Sequence, residues 1–279
     1  MYRIGGRSEL PAGWRYTTTK EHRRFTEFAE AVRTHRSIGL CYGAAGVGKT
    51  LSARRYAHWD LAGPLIATWE RRDPTCAQVH AALARSRTVF HTPTVLESVR
   101  NLRTMLDEHI ARVEICIDEY LHRDVKGCRL VEYQHLVELL IFDETERLST
   151  SALELIRDTF DRTGVGVILI GLPGMEKRLS RSPQLYSRVG FAHHYRPLQG
   201  DELPFVLTRH WRKLGLNLDD ADFTDAQAIA SIARITGGNF RLLHRLFVQI
   251  ERILTINGLS VITDDVVEAA RSTLVIGIT

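Results

Sequence analysis

The feature that most constrains this chain is one octapeptide, Gly43-Ala44-Ala45-Gly46-Val47-Gly48-Lys49-Thr50, which fits the pattern G-x-x-x-x-G-K-[ST]. Glycine lets the backbone wrap closely around a phosphate, and consecutive N–H groups at a helix N-terminus attract its negative charge. The lysine of this pattern reaches the β- and γ-phosphate oxygens, and the final hydroxyl ligates Mg²⁺. We therefore predict that these residues and Leu51 bind ATP, with Mg²⁺ at Thr50.

The sequence on either side of the octapeptide supports this interpretation. Residues 37–42 form an apolar run typical of a buried strand, and residues 51–59 have the pattern of a helix. A strand, a loop and a helix in this order are the setting that a phosphate-binding loop requires.

The composition is that of an ordinary soluble globular protein, with 279 residues of which 44% are hydrophobic and 25% charged. The net charge of +4 is compatible with nucleic-acid binding without requiring it. No C-x-x-C pair occurs among the four cysteines, which indicates reduced packing residues. No secretory signal is recognisable, and the longest apolar run, around residues 165–170, is too short to span a bilayer. We therefore expect a cytoplasmic protein without membrane contact.

The first half of the chain predicts an N-terminal arm followed by alternating helices and strands. Residues 1–17 have little periodicity, and the capping box at 18–21 is expected to begin a helix with an apolar face. We predict a second strand at residues 64–69, a helix at 76–90, and a longer helix capped by Thr94 and Glu97. The expected apolar face of the first helix is Phe25, Phe28, Ala29 and Val32, and that of the long helix is Val95, Val99, Leu102, Leu106, Ile110 and Val113.

Two acidic pairs compete for the role of binding Mg²⁺ and activating water, Asp118-Glu119 and Asp143-Glu144. The chemistry requires a carboxylate at the tip of a buried strand beside the phosphate loop and an adjacent glutamate. The apolar stripe of the long helix continues past Val113 in helical phase, which favours a helical surface for Asp118. Asp143-Glu144 instead follows an apolar strand and precedes a helix and the apolar run 164–170, the next unit of a parallel sheet. We therefore assign the role to Asp143 and Glu144.

From residue 198 onward the sequence predicts only helices, at about 201–214, 225–236, 239–256 and 263–274. Before them we expect a helix ending at Leu179 and a short strand near residues 194–196. The predicted fold class is α/β, with an arm at 1–17, a parallel-sheet core at 18–197 and a small all-helical lid at 198–279.

This order of motifs resembles the AAA+ ATPases, and within them the TniB/TnsC-type ATPases of DNA transposition, with phage Mu B as a more distant relative. The resemblance is densest at residues 137–148 and at 167–171, in addition to the octapeptide. It implies a bacterial cytoplasmic ATP hydrolase that oligomerises as a ring or helical filament on double-stranded DNA. It also implies two partners, a DDE-type transposase and a TniQ-like target-selection protein.

The resemblance also implies roles for single residues. Asp143 would support the Mg²⁺ shell and Glu144 the attacking water, Arg188 would be an arginine finger acting on a neighbouring subunit, and Arg241 would be the sensor arginine of the lid. Gly171 stands where many AAA+ proteins have a polar sensor residue, so we expect slow, assembly-dependent hydrolysis. The role of the stretch at 114–136 is left open.

In the resembling transposition ATPases, DNA is contacted by segments that follow the second strand. The corresponding stretches here predict phosphate contacts from Arg71, Arg72, Thr75, Arg85, Arg87 and Thr88. Two other functions are weighed against this one: an AAA+ switch in signalling or secretion that acts without DNA, and an origin-type initiator or helicase loader. Proteins of the latter kind commonly continue into a winged helix, whereas this sequence ends at Thr279.

Overall fold

The computed structural model describes residues 18–69, 76–122, 135–219 and 221–274. The described chain divides into two compact units, one of residues 22–196 and one that combines residues 18–21 with those from 197 to 274. The predicted arm at 1–17 lies outside the described residues, as do residues 123–134 of the stretch at 114–136.

The larger unit is built on a five-stranded sheet in the order β2-β3-β4-β1-β5, and every pair of neighbouring strands is parallel. The strands are β1 (Ile38–Tyr42), β2 (Thr88–His91), β3 (Leu139–Phe142), β4 (Gly166–Gly171) and β5 (Val189–His194). All residues of β3 and β4 are buried, because a parallel sheet covered by helices on both faces excludes water from its central strands. The α/β parallel-sheet fold predicted from the sequence is confirmed.

Eight helices surround this sheet: α1 (Lys20–His35), α2 (Lys49–Tyr56), α3 (Trp59–Thr68), α4 (Cys76–Ser86), α5 (Val99–Leu121), α6 (Thr150–Thr163), α7 (Met175–Leu179) and α8 (Pro183–Tyr186). A 3₁₀ turn, Thr145–Arg147, follows β3. The apolar face predicted for α1 is buried in the core. It lies so close to β1 that a Cβ on Gly39 would come within 2.4 Å of Val32 Cγ2.

The second strand predicted at residues 64–69 is wrong, because these residues end helix α3. Trp59, Ala62 and Ile66 are buried at helical spacing, whereas Ala67 is exposed, so one face packs on the core. A short apolar run does not distinguish a strand from a buried helix. The true second strand is β2. Most of it lies within residues 76–90, for which the sequence pattern predicted a helix.

The boundaries around β2 explain the second error. Helix α4 ends at Ser86, and Arg87 adopts a left-handed conformation with φ 47° before the strand begins. The next helix is capped by Ser98, whose Oγ accepts a hydrogen bond of 3.1 Å from the Asn101 N–H, and not by Thr94. Val95 therefore lies in the preceding loop and is 73% exposed. Strand β5 is also longer and begins earlier than the predicted strand near 194–196.

From residue 197 to residue 274 the structure describes four helices close to the predicted bounds: α9 (Glu202–Lys213), α10 (Phe223–Thr236), α11 (Phe240–Asn257) and α12 (Asp264–Ser272). Their core includes Trp211, Ile232 and Leu246, all nearly or fully buried. Gly238 precedes α11 and has a positive φ of 74°, and a Cβ there would lie 2.1 Å from the carbonyl oxygen of Leu198. No helix in the described part of the chain is long and apolar enough to cross a membrane.

Candidate functional site

The phosphate loop lies at the carboxyl-terminal edge of the sheet, between the end of β1 and the start of α2. Gly48, the residue before α2, has a φ of 114°, a conformation that L side chains rarely adopt. At Gly43 a Cβ would come within 2.3 Å of the carbonyl oxygen of Tyr195, which follows β5. Both glycines are therefore required by the backbone path, independently of any phosphate.

The ammonium of Lys49 folds back onto this loop. Lys49 is 8% exposed, and its Nζ donates hydrogen bonds to the carbonyl oxygens of Gly43 at 2.7 Å and Ala44 at 2.8 Å. These carbonyls hold a buried positive charge at the position where the motif requires a cation for the phosphate oxygens.

Asp143 and Thr50 meet beside the loop. Asp143 follows β3, is 3% exposed, and accepts a 2.6 Å hydrogen bond at Oδ2 from the Thr50 hydroxyl. Burial raises the pKa of Asp143, whereas the hydrogen bonds from Thr50 and from the Glu144 N–H favour its charged form. A carboxylate and a hydroxyl are oxygen ligands of the kind that Mg²⁺ prefers, so this pair fits the metal that the motif requires.

The competing acidic pair lies on a helix, as its periodicity suggests. Asp118 and Glu119 belong to the last turn of α5. Asp118 pairs with His122 at 2.8 Å, and Glu119 lies 3.5 Å from His80 of α4.

Glu144 is constrained both in its backbone and in its side chain. It adopts a left-handed conformation with φ 49°, which is strained for a residue with a Cβ. Its carboxylate forms an ion pair with Arg147, three residues later. Arg147 Nη1 in turn donates a 3.0 Å hydrogen bond to the carbonyl oxygen of Pro93, in the loop after β2. Arg147 thus links the predicted water-activating residue to a neighbouring loop.

The glycine at the sensor position has no room for a side chain. A Cβ on Gly171 would lie 2.4 Å from Met175 Cγ and 3.1 Å from the Thr145 hydroxyl. The Thr145 hydroxyl is itself buried and donates to the carbonyl oxygen of Ile170 at 2.8 Å. A polar residue at position 171 would require the Met175 side chain, in the first turn of α7, to move.

Arg188 lies at the amino-terminal edge of the sheet, directly before β5, and thus at the end opposite to the phosphate loop of its own chain. A strand of six residues spans about 20 Å, so Arg188 is remote from that loop. Its guanidinium forms two hydrogen bonds to Asp161 of α6, Nε to Oδ1 at 2.5 Å and Nη2 to Oδ2 at 2.8 Å.

Arg241 belongs to the smaller unit, where it is exposed in the first turn of α11. Its backbone N–H donates to the side chain of Asn239, the N-cap of that helix, at 3.0 Å. The sensor role of Arg241 stays a prediction.

A protein-family model described as an AAA domain matches residues 32–179, more than half of the chain. The chain belongs to this AAA domain family. A "Potential ATP-binding protein" of Staphylococcus aureus is 40% identical over 268 residues, which cover 94% of this chain and 97% of that protein. The present chain is thus an ATP-binding protein of the AAA type.

Two solved structures have a similar fold. The Thermotoga maritima RuvB Holliday junction branch migration motor is 18% identical with a TM-score of 0.54, over 92% of this chain and 70% of that one. The Aeropyrum pernix ORC2 protein, in ADPNP–ADP complexes, is 15% identical with a TM-score of 0.53, over 91% and 67%. At these identities the likeness supports the AAA+ fold alone.

The predicted DNA contacts of this AAA domain are only partly described. Arg71, Arg72 and Thr75 lie outside the described residues. Arg85 is exposed at the end of α4, and Arg87 is half-buried and pairs with Glu138 at 3.0 Å.

Thr88 is a wrong assignment. It is fully buried at the start of β2, and its hydroxyl donates to the carbonyl oxygen of Ser86 at 2.6 Å. A phosphate could reach it only if the strand opened.

The sequence prediction missed two parts of the AAA domain. One is the loop at 92–98 after the true second strand, where Leu96 is 93% exposed and Glu97 pairs with His91 at 2.9 Å. The other is Arg147, whose spacing of three residues from Glu144 is a signal for an ion pair in a helical turn.

Proposed function

We propose that this protein hydrolyses Mg²⁺-bound ATP at the phosphate loop. The observation that supports this most strongly is the 2.6 Å contact between Thr50 and Asp143, because it places a motif hydroxyl and a buried carboxylate side by side next to Lys49. Thr50 and Asp143 would hold Mg²⁺, which when bound neutralises charge on the phosphate oxygens.

The remaining residues of the site have distinct roles in this proposal. Lys49 exchanges its two carbonyl partners for the β- and γ-phosphate oxygens. Glu144 leaves Arg147 and orients the attacking water, whose proton its carboxylate accepts. With no polar side chain at Gly171 to assist in positioning the water, hydrolysis is slow.

The finer proposal is that ATP binding drives assembly on double-stranded DNA, and that the assembly regulates transposition. Its support is the sequence resemblance to TniB/TnsC-type ATPases and the remoteness of Arg188 from its own phosphate loop, which suits a finger that acts on a neighbour. The partners would be a DDE-type transposase and a TniQ-like protein. Subunits would form a ring or a helical filament.

The correction of the second strand changes which segment corresponds to the DNA-contacting one. The segment after β2 runs through residues 92–98 into α5, where Arg100 and Arg103 are exposed. We propose these two arginines as phosphate contacts in addition to Arg71, Arg72 and the exposed Arg85.

The test is DNA binding at several salt concentrations with ATP bound throughout, using duplexes of unrelated sequence. Each lost phosphate contact lowers the slope of log K against log salt by about 0.9 and weakens binding on every sequence alike. We expect Arg71→Ala/Arg72→Ala and Arg100→Ala/Arg103→Ala each to reduce the slope.

Lys49→Ala, which cannot hold ATP productively, should abolish the assembly and is the control for nucleotide dependence. An unchanged slope in both double variants would exclude these contacts. ATP-independent binding, or no binding to plain duplex, would instead favour a switch that acts on proteins.

A further inference from the structure

A cavity outside the ATP site lies between α1, the end of α2 and the end of α4. It is an open groove rather than an enclosed pocket, with a volume of about 450 Å³. Arg55, at its rim, is six residues beyond Lys49, so the cavity begins about 9 Å along α2 from that lysine. The residues of its lining that matter here are His22, Glu30, Arg55, Tyr56, His58 and Arg85.

The charges around this cavity are predominantly positive. Arg55 and Arg85 are exposed at its rim, and within the described ranges Arg85 forms no ion pair. Glu30 is the one carboxylate of the lining, and its negative charge is already balanced by partners within the protein. Its Oε1 accepts a 2.9 Å hydrogen bond from the Tyr56 hydroxyl, and its Oε2 lies 2.7 Å from the Arg33 guanidinium.

The pKa of each histidine of the lining is lowered, first by burial and then by this positive charge. Burial, and then the Arg85 and Arg55 guanidiniums, hold the pKa of His58 below its usual value. Burial and the Arg55 guanidinium lower the pKa of His22 to about 4. His58 also has a strained left-handed backbone, with φ 52°, at the junction of α2 and α3. The lining therefore offers polar donors and excess positive charge to one kind of ligand, an anion.

We propose that this cavity binds a phosphate group, with the guanidiniums of Arg55 and Arg85 as its main donors. A guanidinium presents N–H groups in a planar fork that matches two phosphate oxygens, and it keeps its charge at any physiological pH. The phosphate belongs either to a small phosphorylated compound or to the backbone of a nucleic acid. The small-compound case is independent of the proposed DNA binding.

The first measurement is calorimetric titration of the full chain with pyrophosphate, after the phosphate loop has been saturated with ADP. We expect saturable binding that weakens about tenfold in Arg85→Ala, because charge-assisted hydrogen bonds are lost. The matched control is Arg23→Ala, which removes the same charge from an exposed position on α1 that does not line the cavity. This variant should bind pyrophosphate like the wild type.

The second measurement follows the histidine ring signals by NMR during a pH titration, with and without pyrophosphate. An anion between the two arginines should raise the pKa of His58 by about one unit, a result that does not depend on the folding of any variant. The proposal is overturned if pyrophosphate leaves the titration of His58 unchanged, or if Arg85→Ala and Arg23→Ala bind it equally.

A third arm identifies the source of the phosphate. The pyrophosphate titration of the wild type is repeated with a short DNA duplex present at saturation. If the duplex prevents pyrophosphate from binding, the ligand is a backbone phosphate. If the two bind together, the ligand is a small phosphorylated compound.

Discussion

The carboxylate of Glu144 cannot pair with Arg147 and orient a water molecule with the same oxygen. Glu144→Gln keeps the shape of the side chain and loses its basicity, so the variant should bind ATP and assemble but hydrolyse very slowly. The matched control is Glu119→Gln in the competing acidic pair, which lies on α5 and should hydrolyse at the wild-type rate. Steady-state phosphate release and nucleotide affinity measure both effects. The opposite pattern would return the role to Asp118-Glu119.

Loss of Arg147 should have the reverse effect on the rate. Arg147→Ala frees Glu144 from its ion pair, and exposed pairs of this kind contribute up to ~1 kcal/mol, so basal hydrolysis should rise by about two- to fivefold. The control is Arg162→Ala, which removes an ion pair with Asp158 on the surface of α6. A basal rate in Arg147→Ala at or below that of Arg162→Ala would show that the pair does not restrain Glu144.

The residues of the candidate ATP site are identifiable in the sequence because their chemistry fixes both residue type and spacing. Lys49, Thr50 and Asp143 belong to such patterns, and Thr50 and Asp143 are in contact in the structure. Arg147 was not found, because the three-residue spacing that signals its ion pair with Glu144 belongs to no catalytic motif. Thr88 failed for a related reason, because the sequence near it did not reveal that a strand buries its hydroxyl.

At the scale of the elements, α9 and α11 of the smaller unit contact each other through a buried histidine. His210 stacks on Phe247 with ring centroids 4.4 Å apart. Burial, followed by Lys213 and His244, lowers the pKa of His210 to about 4. In the unfolded chain the same group takes up a proton near pH 6.5. The stability that the neutral ring provides is therefore complete above about pH 6.5 and is lost as the pH falls toward 4.

This linkage predicts that wild-type protein loses about 2 kcal/mol of unfolding free energy at this one site between pH 7 and pH 5. His210→Phe keeps a ring against Phe247 and cannot titrate. The fall in its unfolding free energy between pH 7 and pH 5 should therefore be smaller than that of the wild type by about 2 kcal/mol. Urea unfolding followed by tryptophan fluorescence at the two pH values gives the comparison. Equal losses in the two proteins would mean that His210 remains accessible to protons in the folded state.

Which elements the sequence predicts correctly depends on how distinct their periodicity is. β3 and β4 are short continuous apolar runs followed by a motif or a glycine, and the four helices of the smaller unit have clear glycine boundaries. The strand predicted at residues 64–69 was wrong because a run of six apolar or small residues fits either a strand or the end of a helix. Only packing decided between them, since two of the three buried residues of α3, Trp59 and Ala62, lie before the run.

For the whole molecule, the finger role of Arg188 requires that it leave Asp161 and reach the ATP of a neighbour. Arg188→Ala and Lys49→Ala proteins should each be inactive alone, and mixing them should restore part of the hydrolysis at junctions where an intact loop meets an intact arginine. Asp161→Asn should favour assembly, because it weakens the competing pair within the chain. No recovery at any mixing ratio, with a wild type that stays monomeric in ATP, would contradict the shared site.

Association of this kind could not be derived from the motifs. Only the resemblance to a known family gives Arg188 a function. The ion pair that the structure shows, with Asp161, is a contact within one chain and says nothing of a neighbour. The remoteness of Arg188 from the phosphate loop follows only from the parallel order of β1 and β5.

The phosphate loop lies at the carboxyl-terminal edge of the sheet and Arg188 at its amino-terminal edge, and this arrangement would give any assembly a direction. If one edge of each subunit carries the loop and the other the arginine, contacts are head to tail, and an open row ends in two different faces. One terminal subunit holds ATP that no arginine reaches, and the subunit at the other end presents an arginine with no ATP to act on. A third protein that recognises only one of these faces would then meet the row at a single end, and DNA running through it would have distinguishable upstream and downstream sides.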